Sequence, residues 1–238
     1  MMKIIQLIRG DMKQIRRDSM LAFYGLAPFL LIIVTAAGIP LSAELTEFNI
    51  TPYRHLIMSL AMLLIPLILG VMSGFILLDE RDENMIQYFA VTPMSKRGYV
   101  MTRLILPMAL TLCYSILLFV SGGLMTPGVV HLLFVLIMVT LEAPIYTLLL
   151  AAYASNKVEG LALMKGFSLL TLMPAAVYFI PLPWQLFGVF TPTYWTAKTY
   201  LAGTSHEGVV LVFGIIGVVL HIMILLFLYR RFLMKTDQ

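Results

Sequence analysis

Apolar residues in this chain gather into six blocks, and the short segments between them hold most of the charge. A hydrocarbon core of about 30 Å takes about 20 helical residues to cross. Stretches at about 20–39, 55–78, 100–124, 129–153, 160–181 and 208–229 meet that length. The first is predicted to end near Pro40, before a polar outer loop, 40–54, carrying Glu44, Glu47, Asn49 and Arg54. The second should stop at the acidic cluster Asp79-Glu80-Arg81-Asp82-Glu83. A Gly/Pro turn around Met125-Thr126-Pro127-Gly128 joins the third and fourth, and Ser155-Asn156-Lys157 leads into the fifth. The expected fold is an all-α membrane protein with one six-helix domain over residues 20–229.

The first 19 residues follow a different pattern. At about 100° per residue, Ile4, Ile5, Ile8, Met12 and Ile15 share one face of a helix, and Arg9, Lys13, Arg16 and Arg17 occupy the other. Such a helix lies in the membrane interface, its basic side toward anionic headgroups. A cytosolic amphipathic helix packed on protein would show the same pattern. At the other end, residues 230–238 form a basic tail.

Composition narrows the class further. Of 238 residues, 61% are hydrophobic and 12% charged, about half the charge of a soluble domain. Mean hydropathy is +0.95. No room is left for a soluble catalytic domain. The net charge of +4 acts first as a topology signal, and nucleic-acid binding is not expected. Thirteen Lys and Arg fall in the N-terminal segment, the 79–103 region, the 154–159 turn and the tail, against Arg54 and Lys198 in the opposite loops. Both termini are therefore expected in the cytoplasm, in a multi-pass cell-membrane protein, which requires an even number of spans. No short apolar core with a small-residue cleavage site follows the first basic residues, so the first span should be retained. The halves show no repeat, which leaves an inverted-repeat transporter unsupported. Cys113 has no partner cysteine, and His55, His131, His206 and His221 lack zinc-like spacing, so no metal site is expected.

The stretch 78–103, LDERDENMIQYFAVTPMSKRGYVMTR, is the most informative. Its acidic start favours a helix N-terminus. Met85, Ile86 and Phe89 follow at helical spacing, Pro93 ends the helix, and Ser95 is placed to cap the next span. A short amphipathic helix is thus predicted across the cytosolic ends of the second and third spans. It either docks into a groove on a partner or is a turn that only satisfies helix ends.

Here the chain resembles an ABC-2 type permease, the membrane subunit of ATP-binding-cassette exporters. In that family an acidic patch after the second span leads into a coupling helix and a Thr-Pro-x-Ser turn. This sequence has Asp79 to Glu83, then Met85 to Val91, then Thr92-Pro93-Met94-Ser95-Lys96. Asn156-Lys157-Val158-Glu159-Gly160 resembles the turn before the family's fifth span, and Pro192-Thr193-Tyr194-Trp195 its outer segment before the last. The likeness runs through nearly the whole chain and is nearest to the drug and fluoroquinolone exporter branch. It implies a non-catalytic subunit. A separate nucleotide-binding subunit, present in two copies, would hold ATP and magnesium, and a second permease, as in a homodimer, would complete the pathway. The chain has no Gly-x-x-x-x-Gly-Lys-[Ser/Thr] loop of its own and needs no cofactor. On this resemblance Glu80, Glu83, Ile86, Gln87, Phe89 and Lys96 are the candidate motor contacts, and Pro192, Tyr194 and Trp195 belong to an outer gate.

Two groups stand out inside the bilayer. Glu142 falls near the middle of the fourth span, where a carboxylate is costly and faces a cavity or a partner. It either binds a proton or cation or is a structural acid bonded to a neighbouring helix. His221 lies within the last span, where a lone histidine is more often packing than a ligand. Lys165 sits nearer the cytosolic edge and can snorkel, which disfavours a pair with Glu142. The loop 182–207 is either an aromatic interface belt or a set of broken helices re-entering the membrane.

Two rival classes remain. A gradient-driven transporter or channel would use Glu142. An intramembrane protease would need a serine nucleophile, and Gly70-Val71-Met72-Ser73-Gly74 has the wrong spacing even though Ser73 and His221 fall at similar depth. His-Glu-x-x-His is absent.

Overall fold

The computed structural model describes residues 15–83, 85–90, 95–121, 128–202 and 207–235, with Gly10 and Lys13. All regular structure among these residues is helical. Six helices are long and apolar enough to cross a membrane: Ser19–Thr46, Thr51–Asp82, Ser95–Ser121, Val129–Tyr153, Lys157–Phe179 and Gly208–Lys235.

The second and fourth spans form the centre. Their most apolar windows are 83% and 56% buried, against 22–28% for the other four. The two central helices meet through small residues. A Cβ at Gly70 would sit 2.5 Å from the Ala143 carbonyl oxygen, and one at Gly74 would meet the Leu150 side chain. Thr147 Oγ1 donates to the Gly70 carbonyl at 3.0 Å across the same contact. The sequence Gly70-Val71-Met72-Ser73-Gly74 is therefore a small-xxx-small packing stripe.

Several boundaries differ from the expected ones. The first helix passes Pro40 and runs to Thr46 through a π-helical turn, Val34–Gly38. That turn puts Pro40 in the first turn of a new helical segment, where a missing N–H costs little. Glu44 accordingly lies in a helix, and only the stretch from Glu47 leads out of it. The second helix continues through the acidic cluster to Asp82. Asp79, Glu80 and Asp82 thus occupy a helix C-terminus, the unfavourable end for acids, and nearby cations offset them. The third helix starts at Ser95, whose Oγ accepts from the Gly98 N–H at 3.4 Å, and ends at Ser121. The last helix absorbs the expected tail as far as Lys235. Phe232 and Leu228 are buried beside Tyr99 and Val100, so packing carries the helix past the membrane edge.

Local signals explain the entries. Asp18 caps the first span, its Oδ1 accepting from Met20 and Leu21 N–H groups at 2.9 and 3.3 Å. Asn156 Oδ1 accepts from Glu159 N–H at 3.0 Å at the start of the fifth. The fifth helix then breaks into a 3-10 turn, Leu169–Leu172, ahead of Pro174. Of the amphipathic N-terminal segment, Ile15 is half-buried against the core while Lys13, Arg16 and Arg17 are exposed. Ile4, Ile5, Ile8, Arg9 and Met12 lie outside the described residues.

Candidate functional site

Two polar regions are built on this frame, one at the end bearing both described chain termini and one at mid-depth. At the charged end, cations from separate elements tie helix ends together. Arg81 reaches from the second span to the carbonyls of Ala151, Ala154 and Ser155 at 3.1, 3.0 and 2.8 Å. Lys235 Nζ donates to the Ala152 carbonyl at 2.9 Å. Together they satisfy carbonyls that the fourth helix leaves open at its C-terminus. Lys96 Nζ does the same for Leu233 at 2.9 Å. Lys157 bridges Asp79 at 2.9 Å and Asp18 at 3.2 Å, joining the start of the first span to the second and fifth. Burial alone would raise the Asp18 carboxyl. The Lys157 ammonium and the two backbone N–H groups outweigh it and hold Asp18 below the usual carboxylate range.

Deeper at this end, Arg103 Nε donates to Glu80 Oε2 at 2.9 Å, a second guanidinium nitrogen meets Oε1, and the cation lies over the Tyr99 ring. Glu80 is only 4% exposed, so the structure puts it inside an ion pair instead of on a docking face. Ile86 is likewise 2% exposed, packed among Leu77, Tyr99, Val100 and Leu104. It anchors the short helix Met85–Ala90, and the outward side of that helix belongs to Gln87 and Tyr88. Glu83 is exposed beside it, and Lys96 is half-buried at the start of the third span. Phe89's side chain and the turn Thr92-Pro93-Met94 lie outside the described residues. Tyr88, 67% exposed and opposite Ile86 on this six-residue helix, is a surface residue that the apolar spacing alone does not mark.

At mid-depth the structure joins Glu142 and His221, neither of which has any exposed surface. His221 Nε2 lies 3.3 Å from Glu142 Oε1, and Nδ1 lies 2.7 Å from the Gly217 carbonyl oxygen. Thr196 Oγ1 donates to Glu142 Oε1 at 2.7 Å. His221 is therefore no isolated packing residue, and Lys165 is exposed on the fifth span. Both ring nitrogens are engaged, and Ser73 Oγ has no hydrogen-bond partner, so the pairing that a serine protease needs is not formed. Glu142 Oε2, Tyr146 Oη, Thr193 Oγ1 and Thr199 Oγ1 are also buried without a partner. Among the described residues no cluster of three metal-ligating side chains occurs.

Thr196 belongs to the helix Pro192–Leu201, which re-enters between the fourth, fifth and sixth spans. Its Thr193, Tyr194, Trp195, Thr196 and Thr199 are buried. The preceding Trp184, Phe187 and Phe190 are 65%, 79% and 83% exposed. The described part of this segment is thus divided between a buried helix and an exposed aromatic rim. Trp195 Nε1 donates to the Val189 carbonyl at 2.8 Å and Tyr194 packs edge-on to Trp195, while Pro192 opens the helix. Gln185 clamps the hairpin, donating to the Val177 and Ile180 carbonyls at 3.0 and 2.6 Å and accepting from Lys198 at 2.7 Å. The recurrence of threonine at 193, 196 and 199 was the sequence signal for a polar helix face here.

The family described as fluoroquinolones export permease protein Rv2686c-like matches residues 11–229. Two relatives are the fluoroquinolones export permease proteins Rv2686c and MT2760 of Mycobacterium tuberculosis, from the H37Rv and CDC 1551 strains. Each is 30% identical over 235 residues, covering 95% of this chain and 92% of the relative. No solved structure matches the chain.

Proposed function

The chain belongs to the Rv2686c-like family of fluoroquinolones export permease proteins, and from that premise we propose that it is the membrane subunit of an ATP-driven exporter. Its match to the family over nearly its whole length is the observation that carries this reading. The names of the relatives point to fluoroquinolones, and the substrate class is an amphipathic organic molecule. The charged end faces the cytoplasm, in keeping with the excess of Lys and Arg there, and the hairpin 182–202 faces outward. A separate nucleotide-binding subunit, in two copies, supplies ATP hydrolysis with magnesium, and two copies of this chain line one pathway in the cell membrane.

The short helix Met85–Ala90 is the point of motor contact. Ile86 fixes it to the second and third spans, so a push on its outer side moves both helices as a body. Gln87 and Tyr88 form that outer side, Glu83 and Lys96 flank it in the chain, and Glu80 supports it from beneath through Arg103. The test is a pull-down of tagged protein in mild detergent, assayed for a co-purifying ATPase. Gln87→Arg with Tyr88→Asp should lose the ATPase while leaving the elution profile of the membrane subunit unchanged. Purification without ATPase at every expression level would sink the motor. The buried Glu142 and His221 favour the second reading, a gradient-driven transporter, which such a result would leave standing.

A further inference from the structure

We infer that Glu142 and His221 form a binding site for a proton, and that this proton keeps water out of the seat of the re-entrant helix Pro192–Leu201 against the fourth and sixth spans. The hydrogen bonds dictate where hydrogens sit. A carbonyl only accepts, so His221 Nδ1, 2.7 Å from the Gly217 oxygen, carries its hydrogen. In a neutral imidazole Nε2 is then a bare acceptor, and it faces Glu142 Oε1 at 3.3 Å. Without a proton between them, a lone pair confronts a carboxylate. With one, either the carboxylic acid donates to Nε2 or the imidazolium donates to the carboxylate.

The surroundings cannot replace that proton. Thr196 gives Oε1 one donor at 2.7 Å, while Oε2 has none. A buried carboxylate needs two or three donors to be held without a counter-charge. Among the described residues, other ionisable groups do not supply one. Tyr146, on Glu142's own helix, has a buried hydroxyl with no partner. The second span has no ionisable residue between His55 and Asp79. The third offers Cys113 and Tyr114 at mid-length, and its Arg103 is taken by Glu80. On the re-entrant helix Lys198 is bonded to Gln185 and lies over Phe213, with Tyr194 and Tyr200 beside it. On the fifth span Lys157 serves Asp18 and Asp79, Glu159 accepts from the Ser155 N–H, and Lys165 is exposed. On the sixth, Tyr229, Arg230, Arg231 and Lys235 lie toward the charged end. When the proton leaves to water, the contact with Nε2 turns repulsive and Thr196 alone remains as a donor, now charge-assisted, to Oε1. Oε2 still has none, so the carboxylate draws water into the seat of the re-entrant helix. This linkage does not depend on a motor subunit.

Trp195, next to Thr196 and 9% exposed, gives the readout. Trp184→Phe leaves it the only tryptophan, since the chain has two. The full-length Trp184→Phe protein, purified in lipid nanodiscs, is titrated from acid to alkaline buffer. Trp195 emission should move to longer wavelength in one transition that Glu142→Gln abolishes. A pH-independent emission, or a transition that survives Glu142→Gln, overturns the proposal. If Glu142→Gln does not fold, His221→Gln takes its place: the midpoint should shift, and an unmoved midpoint refutes the proton site.

Discussion

The two polar regions are built on opposite rules. At the charged end Arg81, Lys96, Lys157 and Lys235 each meet a carbonyl or carboxylate of another element, mostly near 3 Å. At mid-depth one carboxylate oxygen, two threonine hydroxyls and a tyrosine hydroxyl are buried without a partner. A satisfied network fixes geometry, whereas an unsatisfied one costs free energy and persists where a second arrangement is used. The charged end is therefore the rigid handle of the molecule, and the Glu142 region is the part that rearranges.

The strongest way to break this contrast is at the handle. Glu80→Ala removes the carboxylate that pairs with Arg103 in a site where the two are 5% and 10% exposed. The expected loss is about 3–5 kcal/mol, read from thermal unfolding in detergent. Replacing both partners with leucine should recover most of it, because no charge is then stranded. A single variant as stable as the parent would mean that water reaches the pair and that the handle is soft.

Next comes the seam that holds both regions. Gly70→Ala puts a methyl 2.5 Å from the oxygen of Ala143, the residue next to Glu142, and 2.7 Å from Tyr146 Cβ. Overpacking there should cost about 1–3 kcal/mol. Gly166→Ala, on the fifth span with nothing within 4 Å, is the matched control and should be neutral or gain up to about 1 kcal/mol. Equal effects at the two glycines would remove the seam as the reason for close packing.

What the sequence made legible follows from the range of each interaction. Six spans were evident because a block of some twenty apolar residues announces itself locally. Pro40 misled because a π-turn upstream moved it to a helix start. The acidic cluster misled because its stabilisers, Arg103 and Lys157, lie 20 to 80 positions away in the chain. Glu142 and His221 were each visible, but their separation of 79 positions hid the pair. Gly70 and Gly74 flank Ser73 in the manner of a nucleophile motif, yet their four-residue spacing already describes a helix seam. The apolar character that marks Ile86 as a contact residue is the same property that buries it.

Within the mid-depth region, Thr199→Val sharpens the comparison. Its hydroxyl has no partner, so an isosteric apolar replacement should leave stability unchanged or raise it by up to about 1 kcal/mol. A loss above about 1 kcal/mol, measured by the same unfolding assay, would show that the hydroxyl bonds to water and that this face of the re-entrant helix is wet.

The smallest effect belongs to the outermost contact of the handle. Asp18→Asn keeps an N-cap acceptor and removes only the charge facing Lys157, whose side chain is 35% exposed. Solvent screening at this exposure reduces the contribution to a few tenths of a kcal/mol, roughly the value of a surface ion pair. Because the Asp18 carboxyl is held below its ordinary value in the folded protein, its contribution is present at neutral pH. It is lost as pH falls below the usual carboxylate range and through the folded-state value. The parent should therefore lose a small increment of melting temperature in acid that Asp18→Asn never had, and salt should shrink the difference at neutral pH. A large, salt-insensitive loss would instead show that Asp18 is buried against the second and fifth spans, and that the handle extends to the very start of the first helix.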